Sequence, residues 1–173
     1  MKQSQRREKA TAYHEAGHSV MALLQGIRVS SATIIPAKDF HGQVRTAAVP
    51  LEGKNLEIDH IPPRIRDRLE KYARYLLAGD IAQRRFDRYS VRTWQAHDDR
   101  HNAVAHLEPL AGSGREIQAW LDLLSIQTEQ LIEFWWFRVE AMAKALLDRK
   151  HLSSTEIRRI DREAIKAART APP

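Results

Sequence analysis

The sequence predicts a mainly α-helical domain carrying a short β-hairpin or small sheet. Apolar residues recur at helical spacing over most of the chain, and β-branched residues gather into one short region. With 43% hydrophobic residues in a length of 173, there is enough for one core and little room for a second domain. Residues 1–173 therefore read as a single domain, with a core over about 8–168 and flexible ends.

The first helix is expected over about Glu8 to Gln25, where good helix formers run without proline and Gly26 supplies a stop. Gly17 is anomalous inside it. A glycine there costs about 1 kcal/mol relative to alanine, so it marks either a close approach by another element or a tolerated residue. Ile27 to Ile35 is β-branched, partly alternating and closed by Pro36. Gln43 to Val49 is its expected partner, after a turn containing Asp39, His41 and Gly42. Pro50 to Pro63 reads as a polar, irregular connection. Ile65, Leu69, Tyr72, Ala73, Leu76, Leu77 and Ile81 then recur at helical spacing, predicting a helix from Arg64 to Arg85 or Phe86.

A shorter helix is expected from Asp98 to Leu107, closed by Pro109 and the Gly112-Ser113-Gly114 turn. Arg115 to Arg149 is a long helical stretch with one break expected near Ser125. Its Phe134-Trp135-Trp136-Phe137 run is apolar all round, which implies burial on more than one side as core packing rather than an aromatic cofactor slot. Ser153 with Glu156 makes a capping-box pattern opening a last helix to about Ala168, ahead of a disordered Thr170–Pro173 tail. There is no internal repeat.

Composition narrows the function. The absence of cysteine removes disulfides and thiolate metal sites together, so any metal must be held by histidine and carboxylate. The formal charge of +6 is gathered near the ends, Lys2 to Lys9 and Lys150 to Arg169. Acidic residues are interleaved with it and no nucleic-acid motif accompanies it, so a solvated basic face is expected and nucleic acid is not the expected partner. No apolar run approaches the roughly 20 residues needed to span a bilayer, and the start leads into no signal-type core. The expectation is a cytoplasmic protein without a membrane span.

The residues that carry chemistry are His14-Glu15-Ala16-Gly17-His18. On a helix, positions i and i+4 lie one above the other, so both imidazoles can reach one zinc ion while Glu15 faces a bound water as the general base. A catalytic zinc usually takes three protein ligands. The run from His97 to His101 is the obvious source of the third, with Asp98, Asp99 and both histidines available where a helix should begin. One Asp there can serve as an N-cap, but two are not needed for that. His41, His60, His106 and His151 read as ordinary, and His97 and His101 are the other histidines worth testing as ligands.

Several stretches, in order, resemble the peptidase domain of the FtsH-type zinc proteases, over about residues 8 to 160. Ala12 to Val20 is similar to that family's His-Glu-Ala-Gly-His helix, and Val29 to Pro36 to the strand and proline after it. Leu77-Ala78-Gly79-Asp80-Ile81-Ala82-Gln83 resembles its Leu-Ala-Gly-Arg-x-Ala-Glu helix. Asp99 to Ala103 resembles its Asp-x-x-x-Ala element, and Leu146 to Ile157 its C-terminal helices.

The resemblance implies a helical bundle with the motif on its first helix, zinc held by His14, His18 and Asp99, and Glu15 as catalytic base. Asp98 stays the adjacent alternative to Asp99. Asp80 and Gln83 depart from the family's Arg and Glu, which puts local salt bridging in question. No Gly-x-x-x-x-Gly-Lys-[Ser/Thr] and no membrane helix occurs in the sequence. The expected activity is therefore a stand-alone zinc metalloendopeptidase acting on flexible or unfolded polypeptides, with a separate ATPase or a homo-oligomer as its assembly partner. The strand near Val29 to Ile35 is the candidate edge for pairing with an extended substrate. The alternatives are an inactive peptidase-fold binding or regulatory protein, or a basic adaptor contacting nucleic acid.

Overall fold

The structure is a computed structural model that describes residues 3–37, 41–47, 61–90 and 93–170, with side chains from 98 onward in the last segment. It is mainly helical, with a small three-stranded antiparallel sheet. The elements follow in the order α1 (Gln3–Leu24), β1 (Val29–Thr33), β2 (Gln43–Thr46), α2 (Pro63–Phe86), α3 (Thr93–Leu107), α4 (Gly114–Phe134), α5 (Trp136–Arg149), β3 (His151–Ser153) and α6 (Ser154–Thr170). Residues 48–60, which hold most of the Pro50–Pro63 connection and His60, and Asp39 of the expected turn lie outside the described residues. So does the tail beyond Thr170.

α1 is the central helix. Nearly every residue from Ala10 to Ala22 is buried, which explains why its sequence lacks a clear apolar stripe. Its exposed residues, 3–9, are confined to its N-terminal end. Gly26 ends it in the left-handed region at φ 69°, with Gly26 N–H bonded to Leu23 O at 3.2 Å and Ile27 N–H to Ala22 O at 2.8 Å. That is a Schellman closure. α2 packs along α1 through small residues, with Ala78 and Ala82 against Gly17 and Gly79 against the His14 and His18 rings. At Gly17 a Cβ would lie 2.5 Å from Ala78 O and 2.6 Å from Ala82 Cβ, so this glycine marks a close approach. Pro63 sits at the first helical position of α2, where its missing N–H costs nothing.

The sheet order is β2-β1-β3, with Ala32 opposite Val44 on one side and Leu152 on the other. β1 is therefore central, which corrects the expectation of β1 as an edge. The added neighbour, β3, has no signal in the sequence, because three residues are too few to show a period. Lys150 creates it. Its φ of 65° reverses the chain after α5, and its carbonyl accepts from Ile34 N at 2.9 Å and Thr33 Oγ1 at 3.1 Å.

Two further expectations change. The long helical stretch breaks at Trp135, not near Ser125, so the aromatic run is shared between α4 and α5. Phe134 is 71% exposed and the other three rings are half-buried, so the run is not enclosed on all sides. Trp136 does stack on Tyr13 of α1, ring centroids 5.5 Å apart, and Tyr13 stacks on Phe86 at 4.0 Å. α3 begins at Thr93, five residues before Asp98, so neither Asp98 nor Asp99 is a helix cap.

The last helix keeps its expected box: Ser153 N and Oγ both bond Glu156 at 2.8 and 2.7 Å. It is tied to α5 by Arg138 and Asp161, which meet at 2.6 Å with both side chains largely buried. Removing one partner of such a pair strands the other charge. Asp161→Ala is expected to lower unfolding stability by about 3–5 kcal/mol in equilibrium denaturation, and a loss below about 1 kcal/mol would contradict this role.

Candidate metal centre

Within α1, the one-turn spacing of His14 and His18 turns both imidazoles towards α2 and α3. Their Nε2 atoms lie 3.1 Å apart, and Asp99 Oδ2 of α3 completes a triangle at 3.0 Å from His14 and 3.2 Å from His18. Among the described residues these three form the group whose ligand atoms converge. A tetrahedral ion with ligand bonds of about 2.0–2.1 Å sets its ligand atoms about 3.3 Å apart, so the triangle fits such an ion. Asp98, one residue along the helix, is exposed and outside the group, as is His101. The side chain of His97 lies outside the described residues.

The other ring nitrogens are held from behind. His18 Nδ1 donates to Tyr75 O at 2.8 Å, and His14 Nδ1 donates to Gln83 Oε1 at 3.1 Å. Gln83 Nε2 in turn donates to Ser90 O at 3.0 Å, which fixes the amide's orientation. With protons on both Nδ1 atoms, both Nε2 lone pairs face the triangle, the tautomer a metal ligand requires. Gln83 is thus placed to orient His14 through a neutral hydrogen bond. Asp80 lies 3.8 Å from His14 Nδ1, and its Oδ1 is buried without a hydrogen-bond partner.

Gly79 explains how two rings and a third helix fit together. A Cβ there would lie 2.7 Å from His14 Nε2 and closer still to His18 Nε2. Tyr75, Gly79 and Gln83 are four residues apart, one stripe of α2 laid against the four-residue spacing of the imidazoles. That register is the signal that ties all three together; the motif resemblance of Leu77 to Gln83 touches Gly79 and Gln83 and passes over Tyr75.

The electrostatics follow from burial. Glu15 is 4% exposed. Burial raises its pKa, with His14 and His18 opposing and Asp99 reinforcing the shift. Asp80 is raised for the same first reason. Burial disfavours the His18 cation, but the Asp99 carboxylate, Glu15 and the Tyr75 carbonyl outweigh it and raise that pKa to about 9. For Asp99, burial acts against ionisation, yet the two imidazoles hold its carboxyl well below the usual range. The cluster as a whole demands positive charge, which a divalent cation supplies with two neutral imidazoles and a carboxylate.

A cavity of about 580 Å³ is lined by the first turns of α1, Ile34, Pro36, His41, the Tyr89–Ser90 turn and Gln83, the residue that bonds His14. Comparison with models of known protein families and with curated proteins finds no match to this chain.

Gly79→Ala is expected to push the two imidazoles off their shared point and to lower stability by about 1–3 kcal/mol through overpacking. Histidine side-chain NMR together with a denaturation curve checks both. Unmoved imidazole resonances would contradict the contact.

Proposed function

We propose that this chain is a zinc-dependent peptidase of the FtsH type that hydrolyses peptide bonds in flexible or unfolded polypeptides. The observation that carries the reading is the triangle of His14 Nε2, His18 Nε2 and Asp99 Oδ2 with sides of 3.0–3.2 Å, together with the buried Glu15 carboxylate. Burying a carboxylate costs stability. A site built only to hold structure gains nothing from it, whereas hydrolysis needs a general base there.

His14, His18 and Asp99 would hold the metal, with Gln83 and the Tyr75 carbonyl keeping the imidazoles in register. When bound, the metal polarises the scissile carbonyl and lowers the pKa of a water towards neutrality. Glu15 takes the proton of the attacking water and delivers it to the leaving nitrogen. Its raised pKa matches that double duty, because a weaker acid is a better acceptor and still gives the proton up.

Substrate pairing moves from β1 to β2. β1 is flanked on both sides, whereas β2 is the outer strand among the described residues, and Gly42, just ahead of it, lies against Glu15. An extended polypeptide added there by main-chain hydrogen bonds would run past the base with little sequence preference. No described helix is long and apolar enough to cross a membrane. A separate ATPase or a second copy of the chain remains the proposed means of delivering substrates that are folded.

Metal analysis and hydrolysis of casein test the reading. Wild type is expected to carry about one zinc per chain and to cleave, and Glu15→Gln to keep the zinc and lose turnover by at least about a hundredfold. Asp99→Ala should lose both, and Gln83→Ala should weaken metal affinity about 10- to 100-fold. Hydrolysis that persists in Glu15→Gln would overturn the mechanism. A wild-type chain that binds no divalent metal would overturn the whole reading.

A further inference from the structure

We infer that Gly42 is a positioning residue for Glu15: the backbone leading into β2 rests on the carboxylate and holds it at the metal-ligand triangle. The inference deepens the peptidase reading and rests on it for its catalytic consequence, but the contact itself stands on geometry. A Cβ at position 42 would lie 2.5 Å from Glu15 Oε1, 2.8 Å from Glu15 Cγ and 2.8 Å from Thr11 Cγ2. Those distances are shorter than any side chain tolerates without something moving.

Two features separate this glycine from an ordinary turn residue. Gly26 has a φ of 69° and nothing near the position of its Cβ, so it is required by backbone conformation alone. Gly42 is the reverse: its φ is not in the left-handed region, and space alone excludes a side chain. The second feature is on the Glu15 side. The Gly42 backbone sits so close to Glu15 Oε1 and Cγ that it limits the rotamers open to the carboxylate. Gly42 therefore restricts the base by contact.

This also links the strand to the chemistry. β2 runs directly from Gly42, so the outer strand and the base are fixed to one another by a single residue. A polypeptide paired along β2 would be registered against Glu15 as well as against the sheet.

The test is Gly42→Ala in three backgrounds. In the wild-type chain, zinc content is expected to stay at the wild-type level and KM to stay within about twofold, while kcat falls about 10- to 100-fold. The melting temperature should fall by about 3–8 °C. In a Glu15→Ala chain much of that melting loss should vanish, because the two Glu15 collisions are gone and only the Thr11 methyl remains. In a Thr11→Ser chain, which removes only the Thr11 methyl, the loss should persist. Should Gly42→Ala not fold alone, recovery of folding in the Glu15→Ala background supports the contact equally. An equal melting loss with and without the Glu15 side chain would overturn the inference, as would a wild-type kcat in Gly42→Ala. A wild-type chain without hydrolysis would refute the peptidase reading, while the melting comparison would still decide the contact.

Discussion

The closeness of α1 to α2 is the constraint on which the rest depends. Gly17 lets the α2 backbone rest on α1, and Gly79 lets the imidazoles of α1 rest on the α2 backbone, so each helix yields a side chain to the other. Had either glycine carried a methyl group, the helices would separate by more than the hydrogen bonds behind the imidazoles can span. At this separation the Tyr75 carbonyl and the Gln83 amide reach Nδ1 of His18 and His14, and Asp99 of α3 reaches their Nε2 atoms. Helix packing and ligand geometry are one arrangement here.

That arrangement gathers ionisable groups where water is scarce. Glu15, Asp80 and Asp99 lie in or beside one cluster with two histidines, and burial alone would neutralise them all. The outcome differs by position. Asp99, against two imidazoles, stays ionised, whereas Glu15 and Asp80, with weaker compensation, are pushed towards their acid forms. Two neighbouring carboxyls with opposite tendencies allow one to hold charge and another to exchange a proton.

Much of this is legible in the chain. The i, i+4 pair of histidines, the glutamate between them and a carboxylate from the 97–101 run are all accessible from residue type and helical spacing, though not the choice between Asp98 and Asp99. That choice needs the phase of α3, and the charged residues conceal it because the helix begins at Thr93, well before them. Gly79 and Gln83 fall in the stretch Leu77 to Gln83 that the resemblance singles out, but their roles, and Tyr75 altogether, escape because a carbonyl, an absent side chain and an amide carry no chemistry of their own in a sequence. They acquire roles only once the register of two helices is known. β3 and the break at Trp135 are hidden for another reason: neither carries a proline or glycine, and Lys150 adopts a backbone conformation that its side chain does not advertise.

Tyr13 carries the scaffold's influence further than the ligands themselves. Its ring lies between Phe86 at the end of α2 and Trp136 at the start of α5, nearly parallel to both, and it immediately precedes the first imidazole. Three helices are thereby bolted together through one aromatic plate, with the chemistry hung on the adjoining residue. Loosening of this aromatic contact, though remote from the ligand atoms, would be felt in the spacing of the two imidazoles and the Asp99 carboxylate.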